Sequence, residues 1–506
     1  MTQNTLHSLA AFRRRFFSIA TSVVVVATAG TLAQSVFAQS SGMSAREEAA
    51  TSKWTKLTNQ PPFHTDTGLL LTDGTVMMHE YGDSNWWRLT PDINGSYLNG
   101  TWSQLAAMSS NYGPLYFASA VLKDGTVLVE GGEYNHLQQV ETTLGAFYNP
   151  VANTWTNVNP PSGWSTIGDA PCVVLQDGTF MLGQAGSYTT NMVYFNESTL
   201  TWTAITNNGK ADPFVEEGFG ILPSGMVLTV DCEDGTNSEL YNPATKKWTS
   251  AGSTVVGLPD KNSLEIGPQM QRPDGTVVAF GAQPHSAIYT PSTGTWAAGP
   301  NFPGSNDMAD APDSLIPDGN VLCYTSPGVF QGSGSFYIFD GTTFAAAPAT
   351  ARSGSLQSWQ GRMLLLPTGE ILWVNADGGT TDAELFTSPG KVSQAWAPKI
   401  KKVPKTLVRG STVKISGAQF NGLSMGSDYG DDATMATNYP IVRLTNKATK
   451  HVFYARTHDH STMGISTGSA IVSTMVDIPA NAETGASTIQ VVANGIASKP
   501  KAVTVQ

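Results

Sequence analysis

Short apolar runs come in pairs along most of the chain, each pair joined across a tight polar turn ending in glycine. The turns fall at Asp73-Gly74, Asp124-Gly125, Asp177-Gly178, Ser224-Gly225, Asp274-Gly275, Asp318-Gly319 and Thr368-Gly369, spaced 51, 53, 47, 50, 44 and 50 residues apart. Apolar runs of this length, bounded by turn residues, predict strands and hairpins rather than helices. The second repeat shows the unit best. Strands are predicted over Ser119–Lys123, Thr126–Gly131 and Leu144–Tyr148, with Trp155 marking a fourth. A period near 50 residues with four strands per repeat predicts sheets stacked around an axis, a β-propeller. The ending Tyr148-Asn149-Pro150…Trp155 recurs at Tyr241…Trp248 and more loosely at Tyr289…Trp296. Its aromatics are expected to pack between neighbouring sheets.

The period breaks near Ala397. A basic connector with Lys399, Lys401, Lys402 and Lys405 follows, and then strand-like runs at Thr412–Ile415, Pro440–Leu444, Val452–Arg456, Ala470–Asp477 and Ser487–Ala493. This predicts a β-sandwich of about 100 residues. At the other end, Arg13-Arg14-Arg15 precede an apolar stretch from Phe16 to Leu32, and Val36-Phe37-Ala38 supplies a small-x-small cleavage site. We read residues 1–38 as a signal peptide of Sec or twin-arginine type and 39–53 as a flexible lead-in. The propeller is assigned to 54–398 and the C-terminal domain to 399–506.

Composition sharpens this picture. The net charge of −11 becomes −14 once the three arginines of residues 1–38 are removed, because that segment holds no Asp or Glu. An acidic exported protein is a poor partner for nucleic acid or anionic membranes. No later apolar run approaches a membrane span. Cys172, Cys232 and Cys323 lie in strands of different repeats, and we expect buried free thiols and a monomer.

The Asp-Gly, Gly-Gly, Tyr and Trp series resembles kelch repeats. Seven such blades followed by a C-terminal β domain resemble the galactose oxidase and glyoxal oxidase superfamily over residues 54–506. The fold class is therefore all-β: a seven-bladed kelch-type β-propeller followed by an immunoglobulin-like β-sandwich. The resemblance also implies a histidine-bearing hairpin sent from the C-terminal domain into the axis.

The first strand of each blade lines the axis, so residues at its start converge on one mouth. Counting back eight positions from each turn gives Thr65, Tyr116, Asp169, Glu216, Ile266, Asp310 and Gln360, flanked by His64, Asp66, Glu217, Glu265 and Trp359. This ring is rich in carboxylates and holds no Lys or Arg. Converging carboxylates raise one another's pKa or attract a cation. They can also serve as acid and base on a sugar. Asp169, Glu216, Asp310 and His460 are the candidate catalytic residues. Tyr116, Trp359, Gln360, Glu265 and His64 are the candidate ligand contacts. Tyr81, Trp86 and Trp87 are further aromatics that could stack on a sugar or pack between blades. His458 and His460 would share a face of an extended segment. They are candidate ligands for a divalent ion such as Ca, Zn or Mn, and the His segment is expected to cap the axial mouth. The acidic run Asp428-Tyr429-Gly430-Asp431-Asp432 of the sandwich domain is read as a structured, solvated inter-domain loop, with a Ca²⁺ site as the alternative.

The resemblance also implies a copper-radical set: a cysteine on blade 1 cross-linked to a tyrosine on blade 2, a Tyr-His pair opening blade 7, and a C-terminal histidine. Tyr116 stands at the blade 2 position. Blade 1 reads Phe63-His64-Thr65-Asp66-Thr67 without cysteine, and blade 7 opens Ser358-Trp359-Gln360-Gly361. The copper radical cofactor is not expected to form. Three functions stay open: an exported protein that binds or processes a carbohydrate or other small polar ligand, a non-catalytic extracellular binding or adhesion module, and a divergent copper-dependent oxidase.

Overall fold

The computed structural model describes residues 43–233, 235–430 and 435–506. The signal segment lies outside the described residues. Among the described residues, seven four-stranded blades follow one another in chain order, the sixth extended by one strand from the C-terminal region, and their innermost strands are Thr65–Leu70, Ala118–Val121, Cys172–Val174, Gly220–Ile221, Gln269–Gln271, Pro312–Leu315 and Gly361–Leu365. These strands are buried nearly throughout, since both faces meet protein. The ring closes by an antiparallel pairing of Lys53–Lys56 with Ala383–Thr387, so the first described strand completes the last blade.

The repeated turn has a specific chemistry. Gly74 lies at φ 77° and donates its N–H to the Leu71 carbonyl, while Asp73 accepts from the N–H and hydroxyl of Thr75. Asp124 with Thr126, Asp177 with Thr179 and Asp274 with Thr276 repeat that contact. Only the glycine takes positive φ. The turn is thus a type I turn followed by a left-handed residue, where glycine is least strained. The aromatic pairs Tyr148–Trp155, Tyr241–Trp248 and Tyr289–Trp296 stand directly opposite each other across the two outer strands, with tilted rings and centroids 4.9, 5.1 and 5.0 Å apart. Trp155 also reaches the preceding blade, meeting Trp86 and donating to the Ala106 carbonyl.

Residues 45–51, expected to belong to a flexible lead-in, form helix α1 (Ala45–Thr51). Ser44 and Glu47 close a capping box at its start, which satisfies N–H groups a helix end leaves open. Glu48 is fully buried against Asn320 and Ser388, so the helix is docked.

The C-terminal region forms two further sheets. Thr412–Ala418 and Val472–Asp477 centre one, and Gly485–Ala493 with Ile441–Asn446 centre the other. Ile415, Leu444, Val476, Ile489 and Val491 fill the space between them. This sandwich packs on the turn end of the propeller: Arg456 donates to the Asp124 carbonyl at 2.7 Å and Met463 N–H to the Gln176 carbonyl at 2.9 Å. Between Ala418 and Ile441 the chain leaves the sandwich and climbs the axis. Ser427–Tyr429 pairs antiparallel with Pro312–Leu315 of blade 6. Ser427 Oγ meets Ser314 Oγ and the Leu365 N–H, and the Ile221 N–H points to Met425 sulfur. The acidic run expected to be a solvated inter-domain loop therefore has its described part, Asp428-Tyr429-Gly430, buried inside the axis.

Candidate functional site

Inner strands run from the mouth to the turns, so the propeller axis has two chemically distinct ends. The mouth begins with backbone strain. Tyr116 and Asp310 stand at equivalent places, two residues before the inner strands of blades 2 and 6, with φ of 49° and 47°. Side chains other than glycine seldom occupy that region, and such outliers concentrate where function dictates geometry. The Tyr116 phenol lies beside that of Tyr81. Its ring meets Trp359 and Tyr134 edge-on, with centroids 6.2 and 5.9 Å apart. Burial raises its pKa well above the usual phenol value, so the hydroxyl stays protonated.

Asp310 is hydrogen-bonded to Glu265, and burial raises its pKa. A carboxyl pair in contact shares a proton, offering a ligand both a donor and an acceptor. Glu133 donates its N–H to the Tyr116 carbonyl, and burial, then Glu141 and Asp310, push its carboxyl up to about 7. Asp169 is half-buried and its charge acts on Tyr134.

At the floor of the mouth lies a residue the counting rule missed. Arg362 is 2% exposed. Its Nη1 donates to the carbonyls of Trp359 and Gly361 at 2.7 and 2.9 Å, and its Nη2 is 3.3 Å from Asp66 Oδ1. The guanidinium lies 4.0 Å from the Tyr429 ring centroid and 5.8 Å from that of Tyr116. Asp66 Oδ2 in turn meets His79 Nδ1 at 3.1 Å, and His79 Nε2 faces the Asp83 carbonyl at 2.7 Å. Arg352 pairs with Asp377 at 3.1 Å nearby. The expectation of a ring without Lys or Arg is thus corrected. A lone arginine two positions beyond Gln360, opening an otherwise apolar strand, was the available signal.

The other expected contacts divide. Trp359 belongs to the mouth. Gln360 accepts from the Gln357 N–H and caps its own turn, so its amide is spent locally. His64 is exposed at the rim, 2.5 Å from the Gly379 carbonyl. Glu216 is half-buried on the loop entering blade 4. Trp86 is fully buried between blades, and Trp87 stacks on Phe63 at 4.7 Å.

His458 and His460 lie at the turn end and do not cap the mouth. The intervening Asp459 has φ 49°, which breaks the extended period, so the two imidazoles do not share a face. His458 is held by Asp459 and Asp477 at 2.8 and 3.2 Å. His460 is 1% exposed, bonded to Thr474 at 2.9 Å and parallel to the Tyr439 ring. Burial, then His458 and neighbouring cations, push its pKa down to about 3. It is a neutral packing residue, and the hairpin that enters the axis is the one carrying Tyr429.

Among the described residues, one acidic triad could hold a metal. Oxygens of Asp212, Asp231 and Glu239 lie within 4.8 Å of one another. The Lys210 ammonium sits among them, 3.1 Å from Asp231 and 2.8 Å from Glu239, in contact with Asp212 and 3.2 Å from Glu217.

No protein-family model and no curated protein matches the sequence. Among solved structures, the fold is similar to that of a fungal alcohol oxidase of the AA5 family in complex with copper. The TM-score is 0.51 at 12% identity, over 90% of this chain and 98% of that one. At that identity the likeness shows the fold. No described helix is long and apolar enough to cross a membrane.

Proposed function

We propose that this protein is exported and binds a carbohydrate-type ligand at the acidic mouth of the propeller, without copper-radical chemistry. The convergence of the Asp310–Glu265 pair, Glu133, the Tyr81–Tyr116 phenols and Trp359 carries the reading. Carboxyls offering both donors and acceptors suit hydroxyl-rich ligands, and an aromatic wall suits a sugar's C–H face.

The copper set does not fit. The phenol at the blade 2 position faces a guanidinium, which cannot ligate a metal. Both nitrogens of the nearby His79 are engaged by Asp66 and Asp83. The hairpin brings Tyr429 to this point rather than an imidazole. A second reading, acid–base processing of the glycan, rests on Glu133, whose pKa of about 7 suits a group that gives and takes protons near neutrality.

The test pairs metal analysis of mature protein, purified without chelator, with calorimetry against neutral oligosaccharides. We expect no stoichiometric copper, and binding that D310N and W359A each weaken about tenfold, the loss of roughly one strong hydrogen bond or contact. Stoichiometric copper with a tyrosyl-radical absorbance and alcohol-dependent peroxide would sink the proposal.

A further inference from the structure

We infer that Arg362 is the resident cation of the mouth, standing in the role that a metal ion plays in copper-binding propellers of this fold, and that its guanidinium holds the phenols and carboxylates there in order. The inference rests on the copper-free reading above.

A metal ion in such a mouth would do three things: compensate buried carboxylates, fix the phenols, and tie the axial hairpin to the blades. Arg362 does each of these through contacts already described. It compensates Asp66, which is fully buried, at 3.3 Å. Its positive charge acts on Tyr81, Tyr116 and Asp310, from three different blades. It lies over the ring of Tyr429, whose hydroxyl donates to the Trp359 carbonyl at 3.2 Å. That same carbonyl accepts from Arg362 Nη1. Blade 1, blade 7 and the hairpin tip are thus joined through one planar cation.

Arginine suits this place better than lysine. Its fork donates in several directions within one plane, and its flat face packs on aromatic rings. A lysine ammonium would be a point charge with three donors and no face to stack. The arrangement also accounts for the departure at Gln360. With the cation built into blade 7 at Arg362, no imidazole is required at Gln360, which is free to cap its own turn.

If the charge itself is what the mouth needs, an added ion should replace it once the guanidinium is gone. Asp66, Tyr81, Tyr116 and Tyr429 would then face a vacated space with oxygen donors on several sides. Copper(II), zinc(II) and calcium(II) are each added alone to chelator-treated mature protein. Wild type is expected to keep its Tm and to show no tyrosinate-to-copper absorption. R362A and R362H are expected to melt several degrees lower. Copper or zinc should restore about half of that loss and produce the absorption band, which R362H carrying Y116F should lack. R362K, which keeps a charge, should fall between wild type and R362A without any ion.

Variants that melt low, show no band and are not rescued by any ion would overturn the inference, because Arg362 would then be packing only. R362K melting as low as R362A would overturn it too, and R362K and R362H carry the test should R362A fail to fold. Stoichiometric copper in wild type, lost in Y116F, would overturn the copper-free reading itself. Failure confined to the variants leaves that reading standing.

Discussion

The two ends of the propeller axis hold similar residue types and use them in opposite ways. At the mouth, carboxyls, phenols and one buried arginine converge, and burial raises the pKa of Glu133 and Asp310. At the turn end, His460 is sealed between Tyr439 and Thr474, and burial lowers its pKa. Desolvation disfavours the charged form at both ends, but the charged form is the deprotonated one for an acid and the protonated one for an imidazole. The contrast separates a place built for a ligand from one built for packing. A histidine near a carboxylate in sequence says little until its burial is known.

The largest expected effect tests the packed end. Tyr439 is fully buried, and its hydroxyl donates to the Leu70 carbonyl on blade 1. Tyr439→Ala should cost about 3–5 kcal/mol, as for other large aromatics removed from a core. Urea unfolding would measure it, and a loss below about 1 kcal/mol would mean that the hairpin is not part of the propeller's core.

Acidity should expose His460 next. Its folded pKa of about 3 lies below the ordinary imidazole value of 6.5, so the unfolded chain binds more protons between those values. Its contribution is complete above pH 6.5 and is lost as pH falls toward 3, amounting to a few kcal/mol. His460→Gln should flatten the stability profile across that window. An unchanged profile would place the imidazole in solvent and bring the packing account down.

Glu133 should give the opposite slope. Its folded pKa of about 7 lies above the ordinary 4.5, so the folded chain binds more protons in between. Stability is therefore lost as pH rises from 4.5 through 7. The group is part-exposed, and solvent screening reduces the effect to about 1 kcal/mol. Glu133→Gln should abolish this slope while leaving the acid-side slope of His460 intact. Loss of both slopes together would show that the two ends are coupled.

How much of this was legible in the sequence follows from what kind of information each feature carries. The blades were readable because Asp-Gly-Thr turns and strand-length apolar runs are local signals. The innermost strands begin zero to four residues after the counted positions, and of the counted residues and their neighbours Tyr116 meets Trp359 and feels the charge of Asp310. The identity of the axial hairpin was not readable. His458-Asp459-His460 looked like a ligand pair, and the positive φ at Asp459 that turns the chain leaves no trace in its residue type. Tyr429 entered the axis through pairing with blade 6, more than a hundred residues away in sequence, which no local pattern encodes. Arg362 was hidden by the counting rule: it lies two residues inside the strand, at the floor rather than the rim.

The smallest expected effect on stability discriminates most sharply between the two ends. Asp310 and Glu265 share a hydrogen bond that requires one of them to carry a proton. Asp310→Asn supplies the same donor permanently, so it should change folding stability by no more than about 1 kcal/mol, the range of a single neutral hydrogen bond. A ligand site would still feel it, because a pair that could give or take a proton becomes one with a fixed donor. The expected signature is an unfolding midpoint close to wild type together with about tenfold weaker glycan binding. A large drop in the midpoint with unchanged binding would make the mouth a second packing site, and the distinction between the two ends of the axis would collapse.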